Sequence, residues 1–179
     1  SVVLFGSTSK ITRAGAGISF LAASPVNLAH FKQRLAVQTI GPDKVNQLRH
    51  VRFLQDLPGI QAHMRRHAEI VRPKFECVLR YLDQQLKGVA DWTRPRGGYF
   101  LSFDAPKGTA TEIIRLAGEA GVKLTPAGST FPYKRDPHDA NIRLAPTYPS
   151  LDEIEKAMPV FVSAVQLATV RQQLAGLNG

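Results

Sequence analysis

The run Ser1-Val2-Val3-Leu4-Phe5-Gly6-Ser7-Thr8-Ser9-Lys10-Ile11-Thr12 decides how the rest of the chain is read. Its first residues are apolar over the length of a strand, and small residues over 6–17 end the strand in a loop. The apolar part is too short, and too soon interrupted, for a signal peptide or a membrane span, so it reads as a buried strand. Lys10 then follows that strand directly, behind the hydroxyls of Ser7, Thr8 and Ser9. This places an amine and several hydroxyls at the carboxyl edge of a sheet, where ligands of α/β folds gather. An amine partly desolvated there can lose its proton and attack a carbonyl. The neighbouring hydroxyls and loop amides suit a phosphate. By spacing alone, a solvated loop lysine is the commoner outcome, and both readings stand at this level.

Working outward, 18–22 reads as a second strand, and Pro25 opens a helix over 25–39 that Gly41-Pro42 breaks. Another helix follows over 43–54, and Pro58-Gly59 is the next break. Beyond it Ile60, Met64, Ile70, Phe75, Val78, Leu82 and Leu86 recur at helical spacing, which predicts a long amphipathic helix ended by Gly88. Pro73 within it is expected to kink or divide it. From Ala90 the period changes. Strands are expected over 90–93 and 98–103, flanking Arg94-Pro95-Arg96-Gly97 as a hairpin. Thr109 and Glu112 have capping-box spacing and open a helix that Gly121 stops. Strands over 122–125 and 141–145 flank a loop over 126–140. Ser150 and Glu153 form a second capping box before a last helix, striped with Ile154, Met158, Phe161 and Val165 and bent at Pro159. The order β-β-α-β-β-α from Ala90 onward describes a compact α/β subdomain packed beside the long helix.

Composition narrows the function classes. The chain has 179 residues, of which 44% are hydrophobic, so it is globular rather than disordered. Lys+Arg number 23 against 14 Asp+Glu, a formal charge of +9, yet the charges are scattered. Arg65, Arg66, Arg72, Lys74 and Arg80 share a helix with Glu69, Glu76 and Asp83, which describes a solvated face and not a nucleic-acid groove. Cys77 is the lone cysteine and cannot make an internal disulfide, which points to a reduced cytoplasm. The five histidines and Cys77 lack metal-ligand spacing, and His63 and His67 lack the glutamate of a zinc-protease motif, so no metal is expected. There is no Gly-x-Gly-x-x-Gly and no Walker loop. A chain that opens inside an apolar strand without a methionine is expected to be cut from something longer.

The order Ser7-Thr8-Ser9-Lys10, then Gly97-Gly98-Tyr99-Phe100, then Leu124-Thr125-Pro126-Ala127-Gly128-Ser129-Thr130-Phe131, then Asn141-Ile142-Arg143-Leu144-Ala145-Pro146, resembles the C-terminal part of a fold-type I aminotransferase dependent on pyridoxal 5′-phosphate. The stretches 5–12, Ala14-Gly15-Ala16-Gly17 and 40–50 are similar, more narrowly, to a bacterial aspartate-aminotransferase subgroup often labelled MocR-type. The resemblance covers essentially the whole chain. It implies an α/β chain with 1–57 as the end of the large cofactor-binding domain, 58–88 as a long connecting helix, and 89–179 as the small C-terminal domain. It makes Lys10 the lysine that forms the Schiff base with the cofactor and moves a proton from the substrate α-carbon. Ser7 matches a phosphate ligand and Ser9 an assisting hydroxyl. Arg143 matches the arginine that grips the substrate α-carboxylate, a role for which its planar fork is suited. Taken without the resemblance, Arg143 reads as a strand-edge arginine in a surface ion pair. Tyr99 lies where the small domain approaches the substrate, and plain core packing is its other reading. Gln38, Lys44, Asn46, Gln47 and Arg49 form a polar segment in the region from which such homodimers reach the substrate side chain. Many relatives carry an arginine seven or eight residues after the lysine; Gly17 and Ile18 stand there in this chain, which leaves Arg13 or a group upstream of this chain to take its place.

The resemblance implies transfer of an amino group between an amino acid, aspartate or another dicarboxylic one, and a 2-oxo acid. It also implies that this segment alone has little activity without an N-terminal half. Two rivals remain at this level: the aminotransferase-like sensor domain of a MocR-type transcription regulator, and a basic binding module with an incidental lysine motif.

Overall fold

The computed structural model describes residues 2–13 and 15–177. Ser1 of the opening strand and Ala14 of the Ala14-Gly15-Ala16-Gly17 stretch lie outside the described residues. The chain divides into two compact units, Ser1–Glu69 and Ile70–Gly179.

In the first unit β1 (Leu4–Ser7) pairs antiparallel with β2 (Ser19–Ala22), in register from Leu4 opposite Ala22 to Ser7 opposite Ser19. The ring of Phe20 lies across Gly6, where a Cβ would come within 2.2 Å of it. The expectation of a buried strand is not met, since Leu4 is 59% and Phe5 69% exposed. A two-stranded ribbon has two faces, and among the described residues neither is covered. Helix α1 (Pro25–Gln38) starts at Pro25 behind an N-cap Ser24, but its apolar residues Val26 and Leu35 stay exposed. Helix α2 (Lys44–Leu54) is capped by Asp43, whose carboxylate accepts the Asn46 N–H at 3.0 Å. Helix α3 (Leu57–Gln85) begins earlier than its Pro58-Gly59 signal suggests. Asp56 accepts the Gly59 N–H at 2.8 Å, and proline is tolerated in a first turn, whose N–H groups have no helical partner. Pro73 does not divide α3: the helix is continuous through it, giving up the one backbone bond that a proline nitrogen cannot donate.

The second unit is built on an antiparallel sheet, β3 (Asp91–Trp92), β4 (Leu101–Asp104) and β5 (Asn141–Leu144), with β4 in the middle. The helices α4 (Ala110–Glu119) and α5 (Leu151–Leu177) and the second half of α3 share its core. Alternation in β4 buries Leu101 and Phe103, alternation in β5 buries Ile142 and Leu144, and Leu82, Ile113, Phe161 and Val165 meet them. Phe103 stacks at 6.4 Å on Trp92 and meets Phe161 edge-on at 5.1 Å. Ser150 and Glu153 form the capping box the sequence predicts, with Ser150 N–H donating to Glu153 at 2.7 Å and Glu153 N–H to Ser150 Oγ at 3.2 Å. Pro159 lies inside α5 without interrupting it.

Three local expectations are corrected. Thr109 and Glu112 do not cap each other: Asp139 from the distant loop accepts both the N–H and hydroxyl of Thr111, while Glu112 pairs with Arg115 and Arg171. A tertiary partner has displaced the local one. Residues 122–125 are not a strand, because they have no ladder partner among the described residues; Val122 N–H donates to Ala117 O at 2.8 Å, and Val122 and Leu124 pack against the core. The order from Ala90 is therefore β-β-α-β-α, with a short 3-10 turn, Pro132–Lys134, in the long loop. Finally, β4 starts at Leu101, not Gly98, so Tyr99 and Phe100 fall in the bend before it.

The loop before β5 is tied by Asp136. Burial pushes its carboxyl up, but the backbone N–H groups of Asn141, His138 and Ala140 together outweigh that and hold it below the ordinary carboxylate value. A depressed carboxyl contributes stability that is complete above its unfolded value and lost as pH falls through its folded one. Asp136→Asn is expected to lower Tm at pH 7 by roughly 2–4 °C, the effect of losing about 1 kcal/mol in a chain of this size. Its Tm should also fall less steeply than wild type below about pH 4, as measured by calorimetry across that range.

Candidate functional site

Lys10 sits in a turn that leaves β1 and is closed by the Thr8 carbonyl, which accepts the N–H groups of Ile11 at 3.0 Å and Thr12 at 2.9 Å. Thr8 is itself fastened to the entry of β2: its N–H donates to Ile18 O at 2.8 Å and its hydroxyl accepts Ile18 N–H at 2.8 Å. Two of the predicted residues are brought together just ahead of the lysine. Ser7 Oγ and Ser9 Oγ lie 2.7 Å apart, and the Ser9 N–H donates to Ser7 Oγ at 3.1 Å. Ser7, Ser9 and Lys10 are all exposed, so hydroxyls and amine are open to solvent rather than packed in a core. Gly17 closes against them, since a Cβ there would stand 2.1 Å from Ser9 Oγ and 2.7 Å from Ser9 Cα. Gly17→Ala is expected to push the Ser9 backbone aside and cost about 1–3 kcal/mol in thermal unfolding. The guanidinium of Arg13 lies 5.9 Å from the Phe53 ring centroid.

Arg143 belongs to the second unit, on β5 opposite Ser102 of β4. Its guanidinium lies 4.5 Å from the ring centroid of Phe100, a cation–π contact that holds the fork against a flat surface. Arg143 Nε is buried and has no hydrogen-bond partner. A buried charged donor left unpaired costs free energy, and the acceptor that completes a guanidinium edge is a carboxylate. Among the described residues Arg143 forms no ion pair, so the surface pair of the plainer reading is not seen there. Arg143 borders a depression of about 150 Å³ together with Leu124, Thr125, Pro146 and Met158. Its Thr125-Pro126-Ala127-Gly128 rim is folded by Gly128, whose φ of +73° a side chain rarely adopts. Tyr99, half-buried in the bend, adjoins Phe100 in sequence; Phe100, not Tyr99, makes the contact with Arg143.

The residues that sequence spacing misses support the lysine turn from behind. Thr12 Oγ1 is 2.9 Å from His50 Nε2, His50 Nδ1 donates to Asn46 O at 2.9 Å, and Asn46 Nδ2 donates to Ala16 O at 2.8 Å. His63 Nε2 donates to Ile11 O at 2.5 Å. Asn46 thus turns into its own unit and not out along the polar segment 38–49. The available signal was the spacing 46, 50, 54 on one face of α2.

A family model described as aspartate amino-transferase matches residues 1–176. The chain belongs to that aminotransferase family. An aspartate aminotransferase of Corynebacterium glutamicum is 49% identical over 166 residues, covering 92% of this chain and 38% of its own length. The solved structure of an aspartate transaminase from the same species matches with a TM-score of 0.91 at 48% identity, over 94% of this chain and 40% of that one. The α-aminoadipate aminotransferase of Thermus thermophilus, solved with a phosphopyridoxyl-leucine, shares the fold at a TM-score of 0.79 and 24% identity, over 94% of this chain and 42% of its own. The α/β architecture is thus a segment of the aminotransferase fold, and the chain spans about 40% of the length of these relatives. The two Corynebacterium glutamicum relatives are described as transaminating enzymes, which gives the regulator reading no support. Among the described residues no helix is long and apolar enough to cross a membrane, and no cluster of metal-ligating residues occurs.

The family implies pyridoxal phosphate, and the residues present fit it. The paired serine hydroxyls are phosphate donors and the exposed Lys10 amine suits an aldehyde.

Proposed function

We propose that this chain supplies the reactive lysine and the carboxylate clamp of a pyridoxal-phosphate-dependent aminotransferase. Its amino donor is aspartate or another dicarboxylic amino acid, and its acceptor is a 2-oxo acid. The observation that carries this reading is the turn in which Lys10 follows β1 directly behind the joined hydroxyls of Ser7 and Ser9. The aspartate relatives at 48–49% identity support the choice of donor. Residues 1–57 then belong to the large cofactor-binding domain, 58–88 to the connecting helix and 89–179 to the small domain, within a cytoplasmic homodimer that binds neither nucleic acid nor membrane.

Bound there, pyridoxal phosphate supplies an aldehyde for the amine and a ring that accepts the electron pair left on the substrate α-carbon. Ser7 and Ser9 hold its phosphate through their hydroxyls. Lys10 Nζ, as the free amine, removes the proton from the substrate α-carbon and so acts as the general base. Arg143 grips the α-carboxylate with Nε and one terminal nitrogen, a two-point hold that orients the substrate. Phe100 keeps the guanidinium plane fixed, so that less of its rotational freedom is lost on binding.

The test is turnover of aspartate with 2-oxoglutarate by the complete protein supplied with pyridoxal phosphate, followed as oxaloacetate formed. Steady turnover supports the proposal. Absence of turnover with every amino donor, alongside tight cofactor binding, would instead fit the sensor-domain reading.

A further inference from the structure

In the first unit, only two of the described residues are fully buried, Leu54 at 8% exposed and His50 at 7%. A polar ring thus occupies the most enclosed place of a unit whose strands and first helix leave their apolar side chains exposed. Buried imidazoles are kept only when their nitrogens have polar partners, and each nitrogen of His50 has one, the single Thr12 hydroxyl proton being shared between His50 Nε2 and the Thr8 carbonyl. Its partners all bear on one segment. Nε2 meets the Thr12 hydroxyl at 2.9 Å, and Nδ1 donates to the Asn46 carbonyl at 2.9 Å. The Asn46 side chain then reaches 2.8 Å to the Ala16 carbonyl, on the far side of the same loop. Thr12 Oγ1 also lies 2.9 Å from the Thr8 carbonyl, the acceptor that closes the turn around Lys10. Lys10 is therefore two residues from a point fastened to β2, Thr8, and two residues from a point fastened to α2, Thr12.

We infer that Thr12, His50 and Asn46 form a tether that positions Lys10 for attack on the cofactor, an inference that rests on the function proposed above. They are positioning residues: their hydrogen bonds run to the turn and to one another, and each acts through the turn. A small void of about 50 Å³, bordered by Thr12, Arg13, Ala16, Asn46, His50 and Phe53, lies where they converge. With the tether cut, the loop has room to relax into that void, and Lys10 Nζ drifts from its productive place. Misplacing a reacting group by about 1 Å lowers rates by up to about a hundredfold, a far larger effect than on folding.

The experiment uses the complete protein, freed of cofactor and mixed with pyridoxal 5′-phosphate, and follows the rate of covalent linkage to Lys10 by visible absorbance and borohydride trapping. Thr12→Val keeps shape and removes the hydroxyl; Thr12→Ser restores it. The tether predicts linkage about tenfold or more slower in Thr12→Val, a rate within about twofold of wild type in Thr12→Ser, and slowed linkage in Asn46→Ala. Where Thr12→Val fails to fold, Asn46→Ala decides, since it removes only the Ala16 contact. Wild type linking at Lys10 with the variants equally fast overturns the tether and leaves the proposed function intact. Slowing in proportion to lost thermal stability, without rescue by Thr12→Ser, also overturns it. Failure of wild type to link at Lys10 overturns both.

Discussion

Lys10→Ala in the complete protein is expected to abolish covalent attachment of pyridoxal phosphate and lower kcat/KM for transamination by about 10⁴-fold or more, since one substitution removes both the attaching amine and the general base. Stability should change by less than about 0.5 kcal/mol, because the bonds that shape the turn run through the backbone of Thr8, Ile11 and Thr12 and the Lys10 side chain is exposed. The two readouts, visible absorbance and Tm, must therefore separate. Retained turnover in this variant would remove Lys10 from the chemistry. Partial recovery on adding a small primary amine would show that what was lost is the amine and not the fold.

Arg143 provides the second large effect. Arg143→Lys keeps the charge but loses the fork, and kcat/KM for aspartate is expected to fall by about 10²- to 10³-fold, as the loss of charge-assisted bonds worth about 1.5–3 kcal/mol each implies. Arg143→Leu should fall further. The stability of the same variants should move the other way from ordinary core damage. Arg143 Nε is already buried without a partner, so replacing the guanidinium with an apolar side chain removes an unpaired donor and leaves Tm unchanged or slightly raised. A Tm loss of many degrees would mean that Arg143 holds β5 in place and is not a clamp waiting for a carboxylate.

What was legible in the sequence depended on how local its cause was. Helix α2, the capping box of Ser150 and Glu153 and the alternation in β5 follow from neighbours within a few residues, and the structure has them. The capping box at Thr109 had the same local signal and failed, because Asp139 competes from another loop and no spacing rule contains that competitor. Val122 to Thr125 have the residues of a strand without a partner strand, a condition that only tertiary structure reveals. Burial of β1 was inferred from its apolar residues, yet apolarity states what a strand prefers and not what is present to cover it. The candidate site residues Lys10, Ser7, Ser9 and Arg143 were singled out through the order of short motifs. The support behind Lys10 was not, since Thr12 and His50 stand 38 residues apart and are joined only when α2 packs on the turn. Phe100 emerged in place of Tyr99 for a related reason: the start of β4 at Leu101 leaves both aromatics in a bend, where strand alternation no longer says which one faces Arg143.

The most direct test of the central claim, that Lys10 carries the cofactor, is peptide mapping. The complete protein is loaded with pyridoxal 5′-phosphate, reduced with borohydride, digested and analysed by mass spectrometry. The account predicts a single phosphopyridoxyl label on Lys10. A label on any other lysine, or none where wild-type protein has been saturated with cofactor, would contradict it.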